Sequence, residues 1–129
     1  MYKTILLVGI GGALGSISRF LIYLLTKNNT SFPIGTLIIN IIGCFIIGLI
    51  YGIDGVKRLN SNFIYFGVTG FCGGFTTFST FSYENFLLLK INRYDLFFYY
   101  TATSLIVCLI AVFLGFLLSN LIAKHFLTT

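Results

Sequence analysis

Two phenylalanines three residues apart, Phe78 and Phe81, share a helix face in the middle of an apolar stretch. A phenyl ring has a negative face and a positive edge, so ring edges aimed into a narrow passage stabilise a small anion without a formal charge. Weak holding of this kind suits conduction, because an ion must leave as readily as it enters. Ser79 and Thr80 lie between the rings and offer hydroxyl donors. The alternatives are packing or lipid-facing roles for the rings, and bonds from the hydroxyls back to carbonyls of their own helix.

Further donors lie in other stretches. Thr36 and Asn40 are four apart and share a face. Asn40 brings an amide into an otherwise apolar run, where burial without a partner is costly. Its NH₂ group can donate to an anion or to a neighbouring helix, and the sequence leaves both open. Tyr100, Ser104 and Cys108 recur every four residues, as a polar track along one face. Ala111 and Gly115 extend the same side, so a small-residue packing stripe is the other reading.

Arg19 and Glu84 are the charges inside the apolar stretches. Both sit toward an end, where long side chains reach the membrane interface. Arg19 either draws anions to a vestibule or anchors its helix. The absence of a carboxylate at the centre of any stretch argues against proton-coupled exchange, which needs a titratable group at depth. Cys44, Cys72 and Cys108 have neither zinc-site nor disulfide-framework spacing and read as small packing residues. No catalytic constellation or nucleotide-binding motif is present, so no enzyme is expected.

The elements that must position these residues are membrane spans. Of 129 residues, 57% are apolar and 9% are charged, too little polar chain for a soluble domain. The net charge of +5 is scattered over short loops and makes no nucleic-acid surface. The chain reads as one all-α membrane domain with four spans, at about 4–25, 34–53, 63–89 and 96–123. A polar turn with Lys27 precedes Pro33, which suits a helix start. About 20 residues at about 1.5 Å each cross a bilayer, so the third span is over-long. It also contains Gly70-Phe71-Cys72-Gly73-Gly74-Phe75-Thr76-Thr77 ahead of the ring pair. That composition weakens a helix, and the span is expected to be broken in its middle, with Gly73 leaving the helical conformation and tolerating larger side chains poorly. Backbone freed at membrane depth must be buried in protein or line a polar cavity. Gly11 and Gly15, like Gly48 and Gly52, form small-xxx-small pairs that favour close helix approach.

Four spans put both termini on one side. Lys3, Lys57, Arg58 and Lys124 fall there, against Arg19, Lys27, Lys90 and Arg93 on the other. Loop Lys and Arg bias sets orientation, and here the two sides balance. One reading is a weak bias that the count misses; the other is insertion in both orientations, with which two opposite copies could form an antiparallel two-fold homodimer.

These residues together resemble the CrcB/Fluc fluoride channels. The likeness lies in Gly-Gly-Ala-Leu-Gly-Ser-Ile-Ser-Arg at 11–19, Gly-Thr-Leu-Ile-Ile-Asn-Ile-Ile-Gly at 35–43, and Gly-Phe-Cys-Gly-Gly-Phe-Thr-Thr-Phe-Ser-Thr-Phe at 70–81. With the fourth-span track it covers essentially the whole chain. The resemblance implies an antiparallel dual-topology homodimer in a prokaryotic inner or plasma membrane, exporting fluoride passively and so relieving its toxicity. It implies a structural sodium ion at the dimer centre, held by the carbonyls of Gly73 and Thr76. It assigns Phe78 and Phe81 to the phenylalanine box, Asn40 to the pore, Ser79 and Thr80 to the lining, Tyr100 and Ser104 to the track, and Arg19 to the vestibule. Cys108 stands where some members have serine, and a thiol is a weaker donor.

Two other readings keep a place. One is a small proton-coupled multidrug-type exchanger, for which Glu84 is the available carboxylate. The other is a non-transporting scaffold subunit of a larger membrane complex.

Overall fold

The structure is a computed structural model that describes residues 1–26 and 32–127. Lys27, which enters the charge balance, and the rest of its turn up to residue 31 lie outside the described residues. Among the described residues, three long helices are apolar enough to cross a membrane: α1 (Tyr2–Thr26), α2 (Ile34–Val56) and α6 (Tyr94–Leu127). Between α2 and α6 the chain runs through α3 (Ser61–Ile64), a π-helical segment (Tyr65–Cys72), α4 (Gly73–Phe75) and α5 (Phe78–Lys90). The described residues include no strand.

Local chemistry sets the ends of these elements. Pro33 stands immediately before α2, where its missing N–H costs no helical bond. Asn60 caps α3, its side chain accepting the Asn62 N–H at 2.9 Å. Thr77 caps α5, its hydroxyl accepting the Thr80 N–H at 3.2 Å. At the far end of α5, Asn92 takes a left-handed conformation with φ 58°. The Arg93 N–H then returns to the Leu88 carbonyl at 2.9 Å and the Asn92 N–H to Leu89 at 3.0 Å, which closes the helix with a Schellman turn.

The extended residues differ in place from the sequence expectation. Gly73 is helical, with φ −63° and ψ −37°. The backbone becomes extended at Thr76 (ψ 157°) and Thr77 (φ −147°, ψ 108°). A side chain at Gly73 would meet nothing nearer than the Val68 carbonyl at 3.9 Å. The expectation that Gly73 leaves the helix and rejects larger residues is therefore corrected, because the strain-free turn is made by two threonines instead.

Packing is set by glycine. α1 lies against the π-helical segment and α4, and α2 lies against α6. Side chains at Gly11 and Gly15 would strike the carbonyls of Phe66 and Phe71, and one at Gly74 would strike Gly12. On the other pair, Gly48 abuts the Val112 carbonyl, Gly115 the Phe45 carbonyl, and Gly52 that of Phe116. Backbones this close gain dispersion contacts over their whole length, the main source of helix association where lipid is as apolar as the protein. The apolar side chains left over, such as Ile5, Leu6, Leu109 and Phe113, point outward, as befits a hydrocarbon solvent.

Candidate functional site

The site is built around the extended pair. A continuous helix would direct the Thr77 N–H to the Gly73 carbonyl. Here that N–H goes to the Asn40 side-chain oxygen at 2.9 Å, and the Asn40 amide nitrogen donates to the Thr77 carbonyl at 3.3 Å. One amide from α2 thus satisfies both backbone groups of a residue that has left helical pairing. The Thr76 hydroxyl bonds back to the Cys72 carbonyl at 2.9 Å, alongside the Thr76 N–H at 3.0 Å. The Thr77 hydroxyl donates to Thr80 Oγ1 at 2.9 Å and lies 3.2 Å from Ser79 Oγ. Ser79 and Thr80 accordingly join a hydroxyl cluster around the α5 cap rather than bonding to carbonyls one turn back. Of the two partners the sequence left open for Asn40, the structure supplies a protein one. It is the backbone at the interruption, a partner invisible without the fold.

A second cluster lies one turn further along α5. Glu84 is half-buried and accepts two hydroxyl bonds, from Thr36 at 2.7 Å and from Tyr100 at 2.8 Å. It therefore ties α5 to both α2 and α6. The expectation that Glu84 extends toward the interface is corrected: two hydroxyl donors hold it inward. Thr36 and Tyr100 are both buried, and Tyr100 is wholly inaccessible. Asn85, beside Glu84, adds a parallel tie by accepting the Thr101 hydroxyl at 2.9 Å while donating to the Phe81 carbonyl at 3.0 Å. Sequence reasoning passed over both Asn85 and the partners of Glu84. The available signal was the four-residue register of Thr36 with Asn40 and of Tyr100 with Ser104, which needs an acceptor on a facing element.

The rings form a chain. Phe78 and Phe81 have centroids 5.7 Å apart, and Phe81 and Tyr100 are 5.2 Å apart with planes at 52°. Phe32 meets Tyr100 edge-on at 5.5 Å and 81°. The ends of the chain differ in setting. Phe81 is half-buried, whereas Phe78 is 76% exposed on the protomer.

Two cavities flank this group. One, of about 440 Å³, is bordered by Asn40, Phe78, Phe81, Ser104 and Cys108. The other, of about 560 Å³, is bordered by Ser16, Arg19, Thr36, Thr80 and Glu84. Thr77 borders both, so the extended backbone forms the wall between them. Arg19 faces the second cavity together with Glu84, with no ion pair between them. In the first, the Ser104 hydroxyl is buried with no hydrogen-bond partner, a donor held ready at an apolar wall. Every residue singled out from the sequence for an anion pathway therefore borders one of the two cavities or belongs to the networks between them, Tyr100 through Glu84 and Ser79 through Thr77.

Hydroxyls, two side-chain amides, one carboxylate and aromatic rings thus gather around the interruption between α4 and α5. Residues 6–116 match the family described as "CrcB-like protein, Camphor Resistance (CrcB)". The chain belongs to the CrcB family. Among curated CrcB relatives, a protein of Azobacteroides pseudotrichonymphae genomovar. CFP2 is 43% identical over 93% of this chain and 98% of its own length. One from Pyrococcus abyssi is 44% identical over 92% and 97%. One from Gloeothece citriformis is 50% identical over 86% and 92%. Each of these relatives carries the name fluoride-specific ion channel FluC. This CrcB chain is a multi-pass membrane protein, with long apolar helices through the matched region.

Proposed function

We propose that this protein is a passive fluoride channel of the cell membrane, and that it lets cytoplasmic fluoride leave and so relieves its toxicity. The observation that carries the reading is near-full-length similarity, at 43–50% identity, to proteins named as fluoride-specific channels. Hydrogen fluoride is a weak acid that crosses membranes uncharged and dissociates inside. A channel then releases the anion down its electrochemical gradient under a negative-inside potential, with no energy source of its own. It is a conduit and not an enzyme.

The residues act by replacing water. Arg19 raises local anion concentration at the mouth of the second cavity. Thr36, Glu84 and Tyr100 form a rigid hydroxyl network beneath it. Across the wall, the Ser104 hydroxyl and the edges of Phe78 and Phe81 hold the small anion weakly, and weak holding permits exit. Ser79 and Thr80 complete the donor set, and Asn40 keeps the intervening backbone in place.

Residues 61–75 and 78–90 act as one interrupted crossing, giving four spans in all. Two protomers of opposite orientation form the working dimer in a prokaryotic inner or plasma membrane. Support comes from the balanced basic residues on the two sides and from Phe78, whose ring is left exposed on a single protomer. The Gly73 carbonyl, deprived of the Thr77 N–H, and that of Thr76, whose helical partner Thr80 N–H is taken by Thr77, are of the kind that holds a hard monovalent cation. These carbonyls would hold a sodium ion that pins the two protomers together.

Fluoride efflux from reconstituted liposomes, with chloride as control, tests the function. Selective efflux without a proton gradient supports it. Proton-dependent transport would favour the exchanger, and vesicles tight to fluoride would favour the scaffold. Cross-linking tests the dimer, and uniformly oriented pairs would overturn that part.

A further inference from the structure

Cys44, Cys72 and Cys108 come from α2, the π-helical segment and α6, and all three border the cavity of about 440 Å³. Folding gathers them, since their spacing along the chain matches no thiol motif. All three are free cysteines. Of the three, Cys44 and Cys108 lie on the two long helices that pack against one another, α2 and α6. They sit on facing helices whose backbones touch one turn further along, where Gly48 abuts Val112. Among the described residues, no three of the Cys, His, Asp or Glu side chains converge well enough to hold a metal ion. The pair is therefore the unit.

Donor number selects the ligand. Two sulfurs fall short of zinc, which takes four ligands in a closed site. They match a soft ion that accepts linear two-coordination, and thiolates favour soft ions. Charge narrows the choice further. Each thiol gives up its proton as it binds, so a divalent ion and two thiols yield a neutral S–metal–S bridge and two released protons. A neutral product is the one an apolar wall accepts without the cost of a buried net charge.

We propose that Cys44 and Cys108 form a two-coordinate site for a soft divalent metal ion, the mercuric ion being the probe, and that an ion bound there obstructs the anion pathway. The obstruction rests on the reading of that cavity as part of the pathway. The same cavity is bordered by Phe78, Phe81 and Ser104, so a bridge across it stands beside the groups that replace the anion's water.

The test reconstitutes wild-type protein and the single variants Cys44→Ser, Cys72→Ser and Cys108→Ser. Fluoride efflux is measured with and without mercuric chloride, each variant relative to its own metal-free rate. In parallel, free thiols are counted by maleimide labelling and mass spectrometry. We expect roughly tenfold slower wild-type efflux with the ion, from an occluded passage. Two of the three thiols should be protected from labelling. Cys44→Ser and Cys108→Ser should escape inhibition, while Cys72→Ser stays sensitive. Unprotected thiols, or escape by Cys72→Ser alone, would overturn the site. Protection with unchanged efflux would overturn the obstruction and remove that cavity from the pathway. Wild-type vesicles tight to fluoride without metal would overturn the channel reading instead, and thiol protection would still decide the pair.

Discussion

The Asn40 side chain closes a ring of two hydrogen bonds with the backbone of Thr77, taking its N–H at 2.9 Å and meeting its carbonyl at 3.3 Å. A helix gains by ending wherever its orphaned groups find such a partner. Here the partner comes from another helix, so the interruption and the α2 contact are one feature. Asn40→Ala removes both bonds, and an unmet buried donor or acceptor costs about 1–3 kcal/mol. We expect lower thermal stability in detergent and lost fluoride efflux. Asn40→Asp keeps the acceptor for the N–H and sets a carboxylate against the Thr77 carbonyl, so it too should fail in flux. Full activity in Asn40→Ala would show that the ring of bonds is dispensable.

Glu84 gives a graded series. Its carboxylate accepts from Thr36 and Tyr100 at once. Glu84→Gln retains one good acceptor, and Glu84→Ala retains none. Stability and efflux should both fall in the order wild type, Gln, Ala, with about 1–3 kcal/mol lost at the last step from unpaired buried hydroxyls. An alanine variant as stable as the glutamine variant would contradict the two-acceptor role.

The two rings should separate function from packing. Phe81 packs on Tyr100, so Phe81→Ile is expected to slow efflux and to destabilise the protomer. Phe78 is mostly exposed on the protomer, so Phe78→Ile should slow efflux while the protomer's stability moves by no more than about 0.5 kcal/mol. Dimers should persist in both, as judged by cross-linking. Normal flux in both variants would rule out ring edges as the anion's contacts.

Adjacent glycines should respond oppositely. A methyl group at Gly73 meets only ordinary contact distances, and Gly73→Ala is expected to fold and assemble normally. One at Gly74 drives into the Gly12 backbone, so Gly74→Ala should cost about 1–3 kcal/mol by overpacking. Comparison of melting temperatures in detergent checks the contrast, and equal losses at the two positions would refute it.

The membrane-spanning helices were legible because length, apolarity and the absence of charge leave few alternatives for a stretch such as 34–53. Thr36, Asn40, Tyr100 and Ser104 were legible because a polar group in an apolar helix demands a partner. The identity of that partner was not. Thr36 and Tyr100 both bond to Glu84, which is 48 and 16 residues away along the chain, and no local pattern encodes such a meeting. Gly73 was misjudged for a related reason. Propensity marks where a helix is weak, but the extended residues fall where outside bonds reward them, and Asn40 reaches Thr77. The cysteines escaped notice as a group because their proximity depends on α2 lying along α6.

The glycine faces pair α1 with the segment after α3, and α2 with the last helix, skipping neighbours in both cases. Neither pair is a hairpin that closes as soon as its second helix is made. Until α6 has been synthesised, the glycine face of α2 has no mate within the chain. A message truncated before α6 would leave that face permanently uncovered, a ready mark for membrane quality-control proteases.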